Sequence, residues 1–167
     1  MKELKKIVES RMKIRFHDCD PFSHLNNSRY IDYMITARGD QLIDNYGFDI
    51  YQLAREKGLG WVMAQTQVSY LSPAYLMEEV IIETRLLDST EKSLLLEACM
   101  WDTRKQVLKA VMWAKLVHYN LNTQRSHAHD EALMLFFGQV VNPLETVMNF
   151  EERIQDLKQK RKMETML

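Results

Sequence analysis

Asp18-Cys19-Asp20-Pro21-Phe22-Ser23-His24-Leu25-Asn26-Asn27-Ser28-Arg29-Tyr30, within the longer run from Arg15 to Arg38, is the stretch on which the fold of this chain turns. It gathers two carboxylates, a histidine and two adjacent amides between an alternating run and the longest helical pattern in the protein. On its N-terminal side, residues 11–17 set Met12, Ile14 and Phe16 against Lys13, Arg15 and His17, the period of a strand with one buried face. Pro21 bars a helix in the loop that follows. From about His24 the period changes. Asp32, Thr36, Asp40 and Asp44 recur every four residues while Ile31, Met34, Ile35, Ala37 and Leu42 fill the other faces, which predicts a helix buried around most of its circumference. Gly39 in its middle costs about 1 kcal/mol relative to Ala, tolerable where another backbone comes close. The helix is expected to end at Asn45-Tyr46-Gly47 with glycine as a left-handed cap, and a shorter one to run from Ile50 to Lys57.

Beyond Gly60 the period is two. Trp61 to Leu71 puts Val62, Ala64, Thr66, Val68 and Tyr70 on one face and Trp61, Met63, Gln65, Gln67 and Ser69 on the other. Glu79 to Leu87, Ser93 to Trp101 and Val107 to Tyr119 are further strands, joined by the polar turns Asp88 to Lys92 and Asp102 to Gln106. Short connections imply an antiparallel meander. A buried helix with a curved antiparallel sheet of about five strands is an α+β architecture in which the sheet wraps the helix. Asp130 to Phe137 reads as a short apolar helix ending at Gly138. The last helix is expected to start at Asn142 as N-cap, with Pro143 at its first position and Glu145 in a capping box, and to turn Leu144, Val147, Met148, Ile154 and Leu157 inward. The expected organisation is one domain over 1–140 with a helical extension of the same domain over 141–167.

Composition narrows the function. The chain has 167 residues, ample for one sizeable core. Lys+Arg at 22 against Asp+Glu at 23 leave a net charge of -1, so no bulk field recruits nucleic acid or an anionic membrane. The basic run Lys158 to Lys162 is offset by Glu151, Glu152, Asp156 and Glu164 and reads as a solvated helix end. Cys19 and Cys99 are far apart and form no CxxC pair, which fits a reduced compartment; the expectation is a cytoplasmic protein with no membrane span and no processed leader.

A strand, an Asp-x-Asp loop, a His-x-Asn-Asn opening a long buried helix and then a meander together resemble the hot-dog-fold thioesterases, in particular the 4-hydroxybenzoyl-CoA and acyl-CoA thioesterase family. The resemblance spans about residues 11–125 and rests on Phe16, Asp18-Cys19-Asp20, His24-Leu25-Asn26-Asn27, Tyr30 and Ala37-Arg38. It implies a hot-dog fold and cofactor-free hydrolysis of acyl-CoA thioesters. It also implies a homodimer or homotetramer in which Asp20 faces the partner's strands. By the family pattern Asp20 is the catalytic carboxylate, and His24 matches the histidine of the related plant acyl carrier protein thioesterases. Asn26, Asn27, Tyr30, Gln65, Gln67 and Ser69 are then candidates for substrate binding. Three positions depart from the pattern. Ser23 stands where the family commonly has glycine, Ile35 where many members carry Glu, and Phe22 where the plant enzymes have Asn.

The residues suit thioester chemistry, with Asp20 as general base on water or as nucleophile forming a mixed anhydride, and backbone amides of the His24 to Ser28 turn as oxyanion donors. An acyl carrier protein thioesterase and a non-catalytic acyl-thioester binding module are the alternatives. Plainer roles compete at each position. Asp18 and Asp20 also suit turn formation, Asn26 and Asn27 helix capping, and Tyr30 the core. No metal is expected: His17 with Asp18, Asp20 and His24, and His127-Ala128-His129-Asp130, both lack ligand spacing. Cys19 makes a poor nucleophile, because flanking carboxylates raise a thiol pKa.

Overall fold

The computed structural model describes residues 3–166; Met1, Lys2 and Leu167, the ends of the two expected segments, lie outside them. Strands β1 (Ile7–Lys13), β2 (Leu59–Tyr70), β3 (Glu79–Ser89), β4 (Ser93–Asp102) and β5 (Leu108–Asn120) form an antiparallel sheet in the order β1-β3-β4-β5-β2, with the short β6 (Arg125–Ser126) on β5. The long helix α1 (Tyr30–Tyr46) lies against one face, followed by α2 (Ile50–Lys57); α3 (Glu131–Val140) and α4 (Phe150–Thr165) close the chain. This is the hot-dog arrangement, a curved sheet wrapped around a helix.

The sequence dictates α1 as expected. Asp32, Thr36, Asp40 and Asp44 are all exposed while Tyr33, Met34, Ala37 and Leu42 are buried. Gly47 ends the helix at φ 65°, a conformation glycine adopts without steric cost. What approaches Gly39 is a side chain and not a backbone: a Cβ there would meet the Tyr51 hydroxyl at 2.8 Å. The core between α1 and the sheet is built from Ile14, Leu25, Tyr30, Met34 and Ala37 against Val80, Ile82, Leu96, Met100, Met112 and Ala114.

The sheet's other face is covered too. Phe150, Ile154 and Leu157 of α4 pack on Ile81, Cys99, Trp101, Leu108 and Val111. Glu97, 2% exposed, fastens the helix there. Its carboxylate accepts from Arg153 Nε and Nη2 at 2.9 Å each, Arg85 Nε at 2.8 Å and Trp113 Nε1 at 2.9 Å. Burial pushes the Glu97 carboxyl up, and Arg85 and the Trp113 indole pull against it.

Several boundaries differ from the sequence reading. The first strand is Ile7–Lys13, not 11–17, and Phe16 is 79% exposed in a single 3-10 turn, Phe16–Asp18. The chain leaves the sheet at Ile14 because Ile14 bonds residues 77 and 78 instead. Gly138 sits inside α3 rather than ending it. The last helix starts at Phe150, not after Asn142. Asn149 and Glu152 form the capping box, while a bridge from Val141 to Leu86 and the Asn142 N–H on the Leu86 carbonyl hold the chain extended beside β3. Val147, expected inward, is fully exposed.

Candidate active site

The loop between β1 and α1 is held at both ends before it offers anything to a ligand. Asp18 ties it to the helix: Oδ2 accepts from the Tyr33 hydroxyl at 2.8 Å, which itself accepts the Arg15 N–H at 3.0 Å, and Arg29 Nε lies 3.5 Å from Oδ1. Asp18 is therefore spent on fixing the loop.

Asp20 is at once a turn former and an open carboxylate. Its Oδ1 accepts the N–H of Phe22 at 2.9 Å and of His24 at 3.1 Å, and its backbone pairs with Ser23 and His24. Ser23 completes the turn at φ 63°, in the left-handed region where a side chain is strained, which accounts for glycine at this place in the family pattern. Among the described residues no donor meets Oδ2. Asp20 lines a cleft of about 250 Å³ with His24, Leu25, Asn27, Tyr30 and the segment Tyr70-Leu71-Ser72-Pro73.

The remaining candidates divide. The His24 ring packs edge-on to Tyr75 at 5.1 Å. Asn27 offers its carbonyl to the Tyr70 hydroxyl at 3.0 Å, joining the start of the helical segment to β2. Tyr30, 2% exposed, accepts the Ala74 N–H on its hydroxyl at 3.1 Å, and burial raises its pKa. Asn26 does not reach the cleft. As N-cap of the 3-10 turn Asn27–Arg29 it accepts the Ser28 N–H at 3.1 Å and the Ser28 hydroxyl at 2.9 Å.

Gln65, Gln67 and Ser69 are not brought to it either. They pair with Lys115, Trp113 and Val111, on the sheet face that carries α4. A bulge between Met63 and Gln65 breaks the alternation read from the sequence, so that Trp61 and Met63 before it and Val68 and Tyr70 after it all face α1. Tyr70 to Pro73, which complete the cleft, were visible in sequence only as the end of a strand.

Most amides of the turn are already engaged. His24 N–H goes to Asp20, Leu25 to the Ala74 carbonyl, Asn26 to the Asp18 carbonyl and Ser28 to the Asn26 side chain. The Asn27 N–H opens the helical segment and so precedes its first intrahelical bond. Cys19 is no rival nucleophile: burial first, then Asp18 and Asp20, raise its thiol pKa. His127 and His129 lie elsewhere, at the far end of β5, where His129 and His118 stack with Trp61.

Comparison with known proteins bears on the family and the fold. The family model of the thioesterase-like superfamily matches residues 14–152. The long-chain acyl-CoA thioesterase FadM of Escherichia coli is 25% identical over 135 residues, 80% of this chain and 99% of that protein. The crystal structure of YbaW, a probable thioesterase from Escherichia coli, superposes with a TM-score of 0.67 at 25% identity over 80% of this chain and 98% of that one. The fold is shared at lower identity by SAV2348 of Staphylococcus aureus, solved in complex with CoA, with a TM-score of 0.75, 14% identity, and coverage of 89% and 92%.

Proposed function

Because this chain belongs to the thioesterase-like superfamily, we propose that it hydrolyses acyl-CoA thioesters, with Asp20 as the group that activates water. The observation that carries the reading is the divided carboxylate. Oδ1 is fixed by two backbone N–H groups while Oδ2 is left to the cleft, so the carboxylate is oriented without being consumed. Oδ2 takes a proton from water as its oxygen bonds to the thioester carbonyl carbon. The oxyanion that forms is met by the Asn27 N–H, reinforced by the start of the helix behind it. Collapse breaks the C–S bond and the thiolate recovers the proton from Asp20. His24 walls the cleft, and Tyr30 and Asn27 position the acyl group. Direct attack by Asp20 through a mixed anhydride uses the same atoms; single-turnover hydrolysis in heavy-oxygen water separates the two, because the general-base route puts the label only in the product acid, whereas an anhydride opened by water at the Asp20 carbonyl leaves it in Asp20.

The long-chain acyl-CoA substrate named for FadM and the CoA bound to SAV2348 support CoA as the carrier. A second copy of the chain completes the assembly in this reading. β2 is a 12-residue edge strand with Val62, Met63 and Tyr70 at 41%, 38% and 43% exposure, an unpaired edge long enough to continue into a partner's sheet. Residues 1–140 are the catalytic unit and 141–167 its brace. Both cysteines are free and no described helix is long and apolar enough to cross a membrane; we place the protein in the cytoplasm.

The test is thiol release from aliphatic and aromatic acyl-CoA substrates by wild type and Asp20→Asn. The expected loss is at least about 100-fold, as for removal of a general base. Turnover unchanged by the substitution removes Asp20 from the mechanism. No turnover on CoA esters moves the reading to acyl carrier protein substrates, or to a binding module if acyl-CoA is held without hydrolysis.

A further inference from the structure

A second cavity, of about 210 Å³, lies between α1 and the strands from β2 to β5. Its walls are almost wholly apolar: Ile35, Leu42, Phe48, Trp61, Met63 and Phe137 are among them. One wall residue is charged. Arg38 donates from Nη1 to Thr84 Oγ1 at 3.2 Å and is otherwise met by the Tyr46 hydroxyl. Thr84 in turn donates to Gln41 at 2.5 Å, and Gln41 donates to Ser10 and to the Ile82 carbonyl. Every partner in this chain is neutral. No described Asp or Glu forms an ion pair with Arg38, and position 35, one helical turn before it, is Ile.

A guanidinium presents five N–H donors and keeps its charge even when burial opposes it. A half-buried cation without a counter-charge is costly, and attracts an anion more strongly than a fully exposed one does. The cavity and the Asp20 cleft are also aligned. Asn27, Ile31, Ile35, Gly39 and Leu42 recur every three or four residues along one face of the helical segment, so that face runs from the cleft to the cavity. From Asn27 to Arg38 is roughly 16 Å at 1.5 Å per residue, the reach of an acyl chain of about ten to twelve carbons.

We propose that this cavity receives the distal end of the acyl group and that Arg38 selects chains ending in a carboxylate over chains ending in a methyl. The inference rests on the thioesterase reading for the orientation of the substrate, and deepens it by naming the acyl class. The apolar walls take the methylene chain, and Arg38 pairs with the terminal carboxylate.

The test compares a saturated acyl-CoA of about ten carbons with the same chain carrying a terminal carboxylate. Hydrolysis gives KM for each. Binding to Asp20→Asn, read from the fluorescence of Trp61 in the cavity wall, reports occupancy independently of turnover, with Trp61→Phe identifying the signal. The expected wild-type result is a KM and Kd at least about tenfold lower for the carboxylated chain, since each tenfold is the 1.4 kcal/mol that one charge-assisted pair supplies. Arg38→Met removes the preference and Arg38→Lys keeps part of it. Equal or better use of the methyl-ended chain by wild type overturns the proposal and leaves the thioesterase reading standing; that comparison needs no variant to fold. Binding that leaves Trp61 fluorescence unchanged also overturns it. Carboxylate-selective binding at Trp61 with no hydrolysis of any thioester keeps the proposal and ends the thioesterase reading.

Discussion

Replacing Arg153 with Met is expected to destabilise the protein by about 3 kcal/mol, at the lower end of the 3–5 kcal/mol that breaking a buried ion pair costs. The figure follows from what Glu97 retains. Two of its four donors are lost with Arg153, both at 2.9 Å, while Arg85 at 2.8 Å and Trp113 at 2.9 Å stay, so the carboxylate keeps one cation and one indole N–H. Met fills similar volume beside Phe150 and Ile154, so little apolar packing is forfeited. Urea denaturation followed by circular dichroism measures the change, and a domain of this size should show a Tm lower by roughly 6–12 °C. Glu97→Leu with Arg153→Met should recover most of the loss, because Arg85 is partly exposed and can turn to water once both buried partners are apolar. A loss under about 1 kcal/mol for the single variant, or a double variant no more stable than the single, refutes the assignment of the Glu97 cluster as the fastening of α4.

Three further outcomes are expected. Ser23→Gly relieves a left-handed residue and should stabilise by up to about 1 kcal/mol, whereas a β-branched residue there should cost more than that; denaturation midpoints distinguish them. Asn149→Ala should cost about 1 kcal/mol and Asn142→Ala under about half of that, since only Asn149 caps α4; equal effects would restore the earlier helix start. Burial holds the pKa values of His118 and His129 below the usual range, and the His129 Nε2 must accept from Trp61 Nε1 at 3.0 Å, which protonation forbids. The unfolded chain therefore binds more protons, and stability should be level above about pH 6.5 and fall below it. Thermal melts from pH 8 to pH 5 should show a shallower fall in His118→Phe, and an unaltered slope would exclude His118 from the effect.

How far the sequence could be read depended on where each contact originates. The period-four stripe of Asp32, Thr36, Asp40 and Asp44 specifies α1 unaided, because burial on a helix follows from spacing alone. Asp20, His24, Asn27 and Tyr30 were legible as a group because they are close in sequence and one turn brings them together. Tyr70 to Pro73 were not, since they reach the cleft only through the pairing of β2 at the sheet's edge and the bulge before Gln65. That same bulge displaced Gln65, Gln67 and Ser69 from the face that strict alternation gives them. For α4 the sequence offers Asn142 with Pro143 as a complete local start, but the Val141 bridge to Leu86 is a long-range interaction that no local pattern contains.

The covering of both sheet faces also bears on how this chain can diverge. In a sheet open on one side, alternate positions drift among polar residues at little cost. Ile81, Cys99, Trp101 and Val111 lack that freedom because α4 lies over them. A descendant that shed its last helix would have to repaint that surface with polar side chains, and one that kept the helix has few neutral substitutions open to it in β3, β4 or β5. Sequence change in this lineage should therefore accumulate on the exposed stripe of α1, along β1 and in the segment from Asn142 to Met148, while the outer sheet face and Phe150 to Leu157 change together or not at all.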